Sequence, residues 1–431
     1  MISSLIKAFK SNRAETVLEG AIRSSLLNIF ARAFGYARSV AIAVLLGFSY
    51  QTDAFFMALS LIGLFLIFVD VFDSIGVPQL VRARLESQEA FKRLSGLLFT
   101  FTTLLALSIT LISILLLPLV LKVPKGFGKE ALALTQASYL LLIPYLFLNF
   151  YFHHFGAILR SQRRFTPYFV GELIFAFFNF GITALGLLTF KDYRVLPLSF
   201  SLAQLFATLY MVYVGRDFLH FAYYFDDTVK RLLLQFLQLL SVYGVLHLFI
   251  LVDRAFASYL GEKAVSALTY GFLLASAPRG ILKFEHMAIT ALSETKGSIE
   301  KLSFYLKKLL MLTLPIALFF FLFSPLLVKL FFGYGAFSKV DIDLTSKAFR
   351  FYSLSLPLLF FWPLIFRTFQ VKERLLSLSI LSLFGVAANA FFNYLFIFEL
   401  SLGVEGICLG TFLAHLILCT LGFYGLRYEK S

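Results

Sequence analysis

Ionised side chains stand where an apolar helix would bury them. The first long apolar stretch carries Arg23, Arg32 and Arg38. A charge at mid-bilayer costs about 2.5–3.5 kcal/mol on insertion scales, so such residues are functional by default. Arg23 lies near the start of the stretch, where a long side chain can snorkel to the surface. Arg32 and Arg38 lie too deep for that. Six residues apart, they differ by roughly 240° around an ideal helix. They share a polar cavity only if it is wide or if Gly35 bends the helix. The alternative is a structural pairing with Asp53 or Asp70 in the next stretch.

A second concentration follows Pro278. Arg279, Lys283 and His286 stand at i, i+4 and i+7 around Glu285, which makes one cationic stripe on a helix. The stripe reads as an anion-binding wall facing the first helix, or as a solvated cytoplasmic end. Asp253-Arg254 interrupts another apolar run, and Asn389 and Asn393 share a helix face at i, i+4. A carboxylate with amide and carbonyl oxygens suits a hard cation. Asparagines also serve in membranes as plain interhelical hydrogen-bond formers, and spacing alone leaves both readings open. No HExxH, CxxC, P-loop or GxSxG pattern occurs, and His153-His154 has no acidic partner at metal spacing, which suits an interfacial role. The residues give no enzyme chemistry.

The elements that must hold these groups follow from composition. Of 431 residues, 60% are hydrophobic, 14% are charged and 55 are Phe; mean hydropathy is +0.86. A soluble domain carries about 25% charged residues, and its surface must be covered by polar ones. That excludes a water-soluble enzyme. Apolar runs of about 20 residues without period-2 alternation predict an all-α polytopic membrane protein rather than a barrel. About twelve spans are expected, near 20–47, 52–80, 95–121, 132–158, 167–190, 195–217, 232–259, 264–290, 305–331, 347–369, 375–398 and 401–426. The net charge of +14 is read as the cytoplasmic Lys/Arg excess that fixes topology, not as a nucleic-acid footprint. The segments placed inside hold about 21 Lys and Arg. Those placed outside hold eight: Lys122, Lys125, Lys129, Lys191, Arg194, Lys263, Lys339 and Lys347. Both termini are therefore expected in the cytoplasm. Met1–Glu19 has no apolar core of a cleavable leader. Cys408 and Cys419 are about 16 Å apart along one helix, too far for a disulfide.

The chain also repeats. Pro144–Asn149 (PYLFLN) precedes Pro357–Trp362 (PLLFFW) by 213 residues, and Phe177-Phe178-Asn179 precedes Phe391-Phe392-Asn393 by 214. Leu46-Gly47 with Ala54 answers Leu260-Gly261 with Ala267. Six spans separate the copies, so two halves of equal topology are expected, with a substrate site at their interface. The expected divisions are a cytoplasmic segment 1–19, a first lobe 20–219, a cytoplasmic linker 220–231 and a second lobe 232–431.

The stretch Asn28–Ala58 resembles the opening of MurJ (MviN) lipid II flippases: an R-x-x-G-x-x-R helix (Arg32, Gly35, Arg38), then Thr52-Asp53-Ala54-Phe55-Phe56. Val252–Gly271 is similar to the family's start of the second lobe, and Tyr334–Phe337 to its Y/R-G-x-F loop. The resemblance covers most of the chain, with the T-D-A-F-F segment its most specific part. It implies the MOP-superfamily fold, two six-helix lobes around a cationic cavity for the pyrophosphate of an undecaprenyl-linked precursor. It implies Arg32, Arg38 and Asp53 as cavity residues, and a sodium site at Asp253, Asn389, Asn393, the Ile407 carbonyl and Thr411. The family's cavity arginines on the second and eighth helices fall near Leu66 and at Leu273; Arg279 and Lys283 are the expected replacements. The chain has about twelve helices where typical members have two more. The expected function is alternating-access transport of lipid II across the bacterial cytoplasmic membrane by a monomer, driven by sodium or potential. The rivals are export of another lipid-linked oligosaccharide and, less favoured by the arginines, drug antiport of the MATE kind.

Overall fold

The computed structural model describes residues 14–224, 227–281, 292 and 295–428. Long helices follow one another along the chain: α1 (Val17–Leu45), α2 (Tyr50–Glu86), α3 (Gln88–Leu115), α4 (Lys129–Ser161), α5 (Thr166–Phe190), α6 (Val195–Gly215) and α7 (Asp227–Ala257). After these come α8 (Ala264–Ile281), α9 (Ile299–Phe332), α10 (Lys339–Ser353), α11 (Leu356–Val371), α12 (Leu375–Tyr394) and α13 (Val404–Tyr428). Each of the twelve expected spans falls on one of these helices, except that 347–369 falls across α10 and α11 and 95–121 runs past α3 into a short helix, Leu117–Val120; residues 282–290 of the span 264–290 lie outside the described residues. Nine spans among the described residues, counting α10 with α11 as one, are long and apolar enough to cross a membrane. The other three are α1, α7 and α8. These are the helices that carry Arg32 and Arg38, Asp253, and Arg279.

Helix ends obey local chemistry. Ser87 Oγ accepts from Ala90 N at the start of α3, and Ser298 Oγ from Lys301 N at the start of α9, filling donors that the first turn leaves unpaired. Ser338 and Asp341 form a reciprocal capping box on α10. The repeat is asymmetric at its prolines. Pro144 lies inside the unbroken α4, whereas Pro357 stands in the first turn of α11, across a 46° bend from α10. A proline in a first turn costs no hydrogen bond, so the second copy uses it to start a new helix.

The chain divides into two compact units. The first comprises Met1–Ile42, Leu61–Val120 and Gln136–Leu240. Its core gathers Phe99, Phe152, Phe155, Leu159, Ala207 and Met211. His154 sits here, only 1% exposed, with Nδ1 3.1 Å from Thr102 Oγ1. It is thus a core residue rather than an interfacial one, because Phe72, Phe99 and Phe155 surround its ring. A hydroxyl and amide chain ties α5 to α6: Thr183 donates to Ser199, and Ser199 to Asn179 Oδ1, both at 2.9 Å.

The second unit comprises Ala43–Ser60, Leu121–Thr135 and Ser241–Ser431. It therefore takes the end of α1 and the start of α2, which the even division at residues 219 and 232 assigns to the first lobe. Backbone contacts explain why. Val44 O accepts from Ala336 N at 2.8 Å, and the loop glycine Gly126 donates to Ser258 Oγ at 3.1 Å. Gly335 (φ +60) turns here in the left-handed region that glycine adopts freely. A Cβ on Gly271 would come within 2.6 Å of Ala348 Cβ, so α8 and α10 pack backbone to backbone, as small residues permit in membranes.

Candidate functional site

Asp253 on α7 organises a dense polar cluster in the second unit. It is 5% exposed. Its Oδ1 accepts from Asn389 Nδ2 and Asn393 Nδ2, each at 3.0 Å. Its Oδ2 accepts from Thr411 Oγ1 at 2.7 Å and from Tyr352 OH at 2.8 Å. Thr411 Oγ1 also lies 3.1 Å from Ile407 O and 3.5 Å from Asn389 Oδ1. One turn on, His415 Nδ1 donates to Thr411 O at 2.9 Å. The helical repeat explains the assembly: Asn389 and Asn393 lie one turn apart on α12, as Ile407 and Thr411 do on α13. Four helices thus converge on one carboxylate.

The five residues expected to hold a cation are brought together. Tyr352 is the member that sequence reasoning missed, and no motif around it singles it out. The chemistry of the set suits a hard monovalent cation: one carboxylate, two amides, a hydroxyl and a carbonyl offer oxygens only. Asn393 Oδ1 is buried with no hydrogen-bond partner, an acceptor available to a ligand. A side chain at Gly410 would run into that oxygen, so the glycine keeps room for it. Of these side chains the first copy of the repeat keeps the asparagine, Asn179 answering Asn393, and lacks the rest. Asp253, Asn389 and Thr411 correspond there to Ser39, Phe175 and Pro197 at the spacing of 214.

Asp53 lies elsewhere in the same unit and is fully buried. Lys263 N donates to its Oδ2 at 2.6 Å; Ser266 N and Ser266 Oγ donate to its Oδ1 at 2.8 and 2.5 Å. The carboxylate thus caps α8 from another helix, facing the unpaired N–H groups and positive dipole end of that helix. Its oxygens are occupied by these donors, and neither is turned to an arginine. Beside it, Arg254 Nη1 donates to Phe56 O at 2.6 Å and to Ser60 Oγ. Arg254 therefore anchors the opening of α2 to α7.

The first-helix arginines belong to the first unit. α1 runs unbroken through Gly35, and Ser39 Oγ donates to Gly35 O at 3.2 Å. Arg32 is exposed. Arg38 is half-buried, its guanidinium 4.7 Å from the Phe200 ring centroid, a geometry that favours a cation without neutralising it. Arg279 is half-buried on α8 in the second unit. Lys283, with Glu285 and His286, lies outside the described residues.

Comparison with known proteins accords with this arrangement. The sequence pattern of the family described as Lipid II flippase MurJ matches residues 42–431. A probable lipid II flippase MurJ of Aquifex aeolicus is 28% identical over 400 residues, covering 88% of this chain and 77% of that protein. One from Thermotoga maritima is 24% identical over 403 residues, covering 91% and 82%. Among solved structures, an inward closed lipid II flippase MurJ superposes with a TM-score of 0.80 at 22% identity, covering 94% of this chain and 87% of that one. An inward-facing MATE multidrug transporter of the MOP superfamily superposes with a TM-score of 0.71 at 16% identity, over 94% and 97%. At these identities the superpositions establish the fold. With nearly the whole chain matched by the family's pattern, this multi-pass membrane protein belongs to the lipid II flippase MurJ family.

Proposed function

We propose that this chain carries lipid II from the inner to the outer leaflet of the cytoplasmic membrane by alternating access, with both termini cytoplasmic. No bond is made or broken. The task is to move a charged pyrophosphate and its sugars past hydrocarbon while the polyprenyl tail stays in lipid. The observation that carries this reading is the pair of guanidinium groups on the apolar α1: Arg32 exposed, and Arg38 stacked on Phe200. Arginine offers a planar fork of donors that matches phosphate oxygens two at a time. Arg32 and Arg38 hold the pyrophosphate. Asp53 acts as an anchor for α8 rather than as a ligand. Guanidinium groups at the binding site also disfavour the cationic drugs of an antiporter.

Asp253, Asn389, Asn393, Ile407 O and Thr411 would hold a sodium ion. When bound, the ion supplies a positive charge that compensates the buried carboxylate and biases one conformation over the other. A charge moved through the membrane potential contributes about 2.3 kcal/mol per 100 mV, enough to drive such a bias.

Complementation tests the reading. Expressed in a bacterium depleted of its own lipid II flippase, the chain restores growth, and the Arg32→Ala, Arg38→Ala double variant does not. A well-inserted wild-type chain that fails to restore growth contradicts lipid II as the substrate.

A further inference from the structure

We propose that Tyr352 restrains cation binding at the Asp253 cluster: its hydroxyl competes with a cation for Asp253 Oδ2. The proposal rests on the cation reading above. The carboxylate receives four donated hydrogen bonds, two on each oxygen. That arrangement satisfies an anion with no cation beside it.

Three of the four donors convert to oxygen ligands with small movements. Asn389 and Asn393 each carry a carbonyl oxygen on the same amide, and a half-turn about the last torsion exchanges nitrogen for oxygen. Thr411 has Ile407 O at 3.1 Å to take its proton, which frees a lone pair on Oγ1. Tyr352 differs. A phenol has one proton, here aimed at Oδ2, and while it donates there it denies a cation one of the two lone pairs of that oxygen. Its ring is held edge-on by Phe272 of α8, with centroids 5.4 Å apart, so the hydroxyl cannot swing aside freely.

The position of Tyr352 gives the competition a consequence. It occupies the last turn of α10, immediately before the bend into α11. Breaking its bond to Asp253 frees the end of α10 from α7. The first copy of the repeat offers an internal comparison at the 213-residue spacing of the prolines. Tyr139 answers Tyr352, but it donates to Ser113 O at 3.1 Å and sits in the unbroken α4. The same tyrosine is a plain strut in one half and a donor to a carboxylate in the other.

The test uses the whole protein in detergent, titrated with sodium chloride against choline chloride and followed by thermal unfolding. In Tyr352→Phe the sodium concentration for half-maximal stabilisation falls about tenfold, the size expected for a lost competing hydrogen bond to a charged acceptor. In Tyr139→Phe it stays at the wild-type value. An unchanged or higher half-saturation in Tyr352→Phe overturns the proposal, a rise meaning that the phenol oxygen is itself a ligand. If the wild type responds equally to sodium and choline, the cation reading falls and the proposal with it. Hydrogen exchange in the wild type gives a measurement independent of any variant. Sodium accelerates exchange of the amides at 353–356; unchanged exchange beside a clear sodium-dependent stabilisation also overturns the proposal.

Discussion

Asp53 on α2 and Ser266 on α8 are joined twice through one oxygen: Asp53 Oδ1 accepts both the backbone N–H and the hydroxyl of Ser266, at 2.8 and 2.5 Å. With Lys263 N on Oδ2, the carboxylate closes the start of a helix 213 residues away. Its removal leaves buried donors without partners, at about 1–3 kcal/mol each. Asp53→Ala is therefore expected to lower thermal stability markedly, and Asp53→Asn, which keeps one acceptor, to lower it less. Equal stability of Asp53→Ala and wild type in a detergent melt would refute the capping role.

Close packing sets a second expectation. Gly271→Ala puts a methyl group against Ala348 and the backbone of Phe349, and overpacking of this kind costs about 1–3 kcal/mol. Gly35→Ala, where a Cβ meets nothing within 4 Å, is expected to be neutral or slightly stabilising on helix propensity. Melting curves of the two variants separate packing from propensity.

The Asp253 cluster gives a third. Ligand-linked stabilisation grows by about 1.4 kcal/mol per decade of ligand above Kd. Wild-type protein is expected to gain stability with sodium over choline, and Asp253→Asn to lose that gain. Gly410→Ala, which crowds Asn393 Oδ1, is expected to shift the gain to higher sodium. A sodium response that survives Asp253→Asn removes the ion from this cluster.

Arg38 is both charge and shape. Arg38→Lys keeps the charge but loses the forked donors and much of the stacking on Phe200. Transport is expected to fall to an intermediate level in Arg38→Lys, and by about tenfold or more in Arg38→Ala. Identical rates for Lys and Arg would mean that only a point charge is used.

The spans were legible in the sequence because hydrocarbon imposes one rule, long runs of apolar residues, and each expected run holds a helix. The pairing of Asn389 with Asn393 was legible as a face because their spacing is helical. The bend before Pro357 was not, since the matching Pro144 lies in an unbroken helix and the motif is similar. Asp53 was expected in a cavity on the family resemblance and, from the residues alone, as a partner of an arginine, because an aspartate in an apolar run announces a partner without naming it. That partner, Ser266, is supplied by a distant helix end. Tyr352 carried no signal for a similar reason: a tyrosine among Phe and Leu looks like core until its hydroxyl is seen to meet a carboxylate.

Translocation in a purified system tests the central claim most directly. Proteoliposomes holding this chain and lipid II labelled on its head group are scored for head groups that become accessible from the opposite leaflet. The account predicts translocation by the wild type, and rates near those of protein-free liposomes for the Arg32→Ala, Arg38→Ala variant. Wild-type protein that moves no lipid II, or a double variant that moves it at the wild-type rate, would contradict the account.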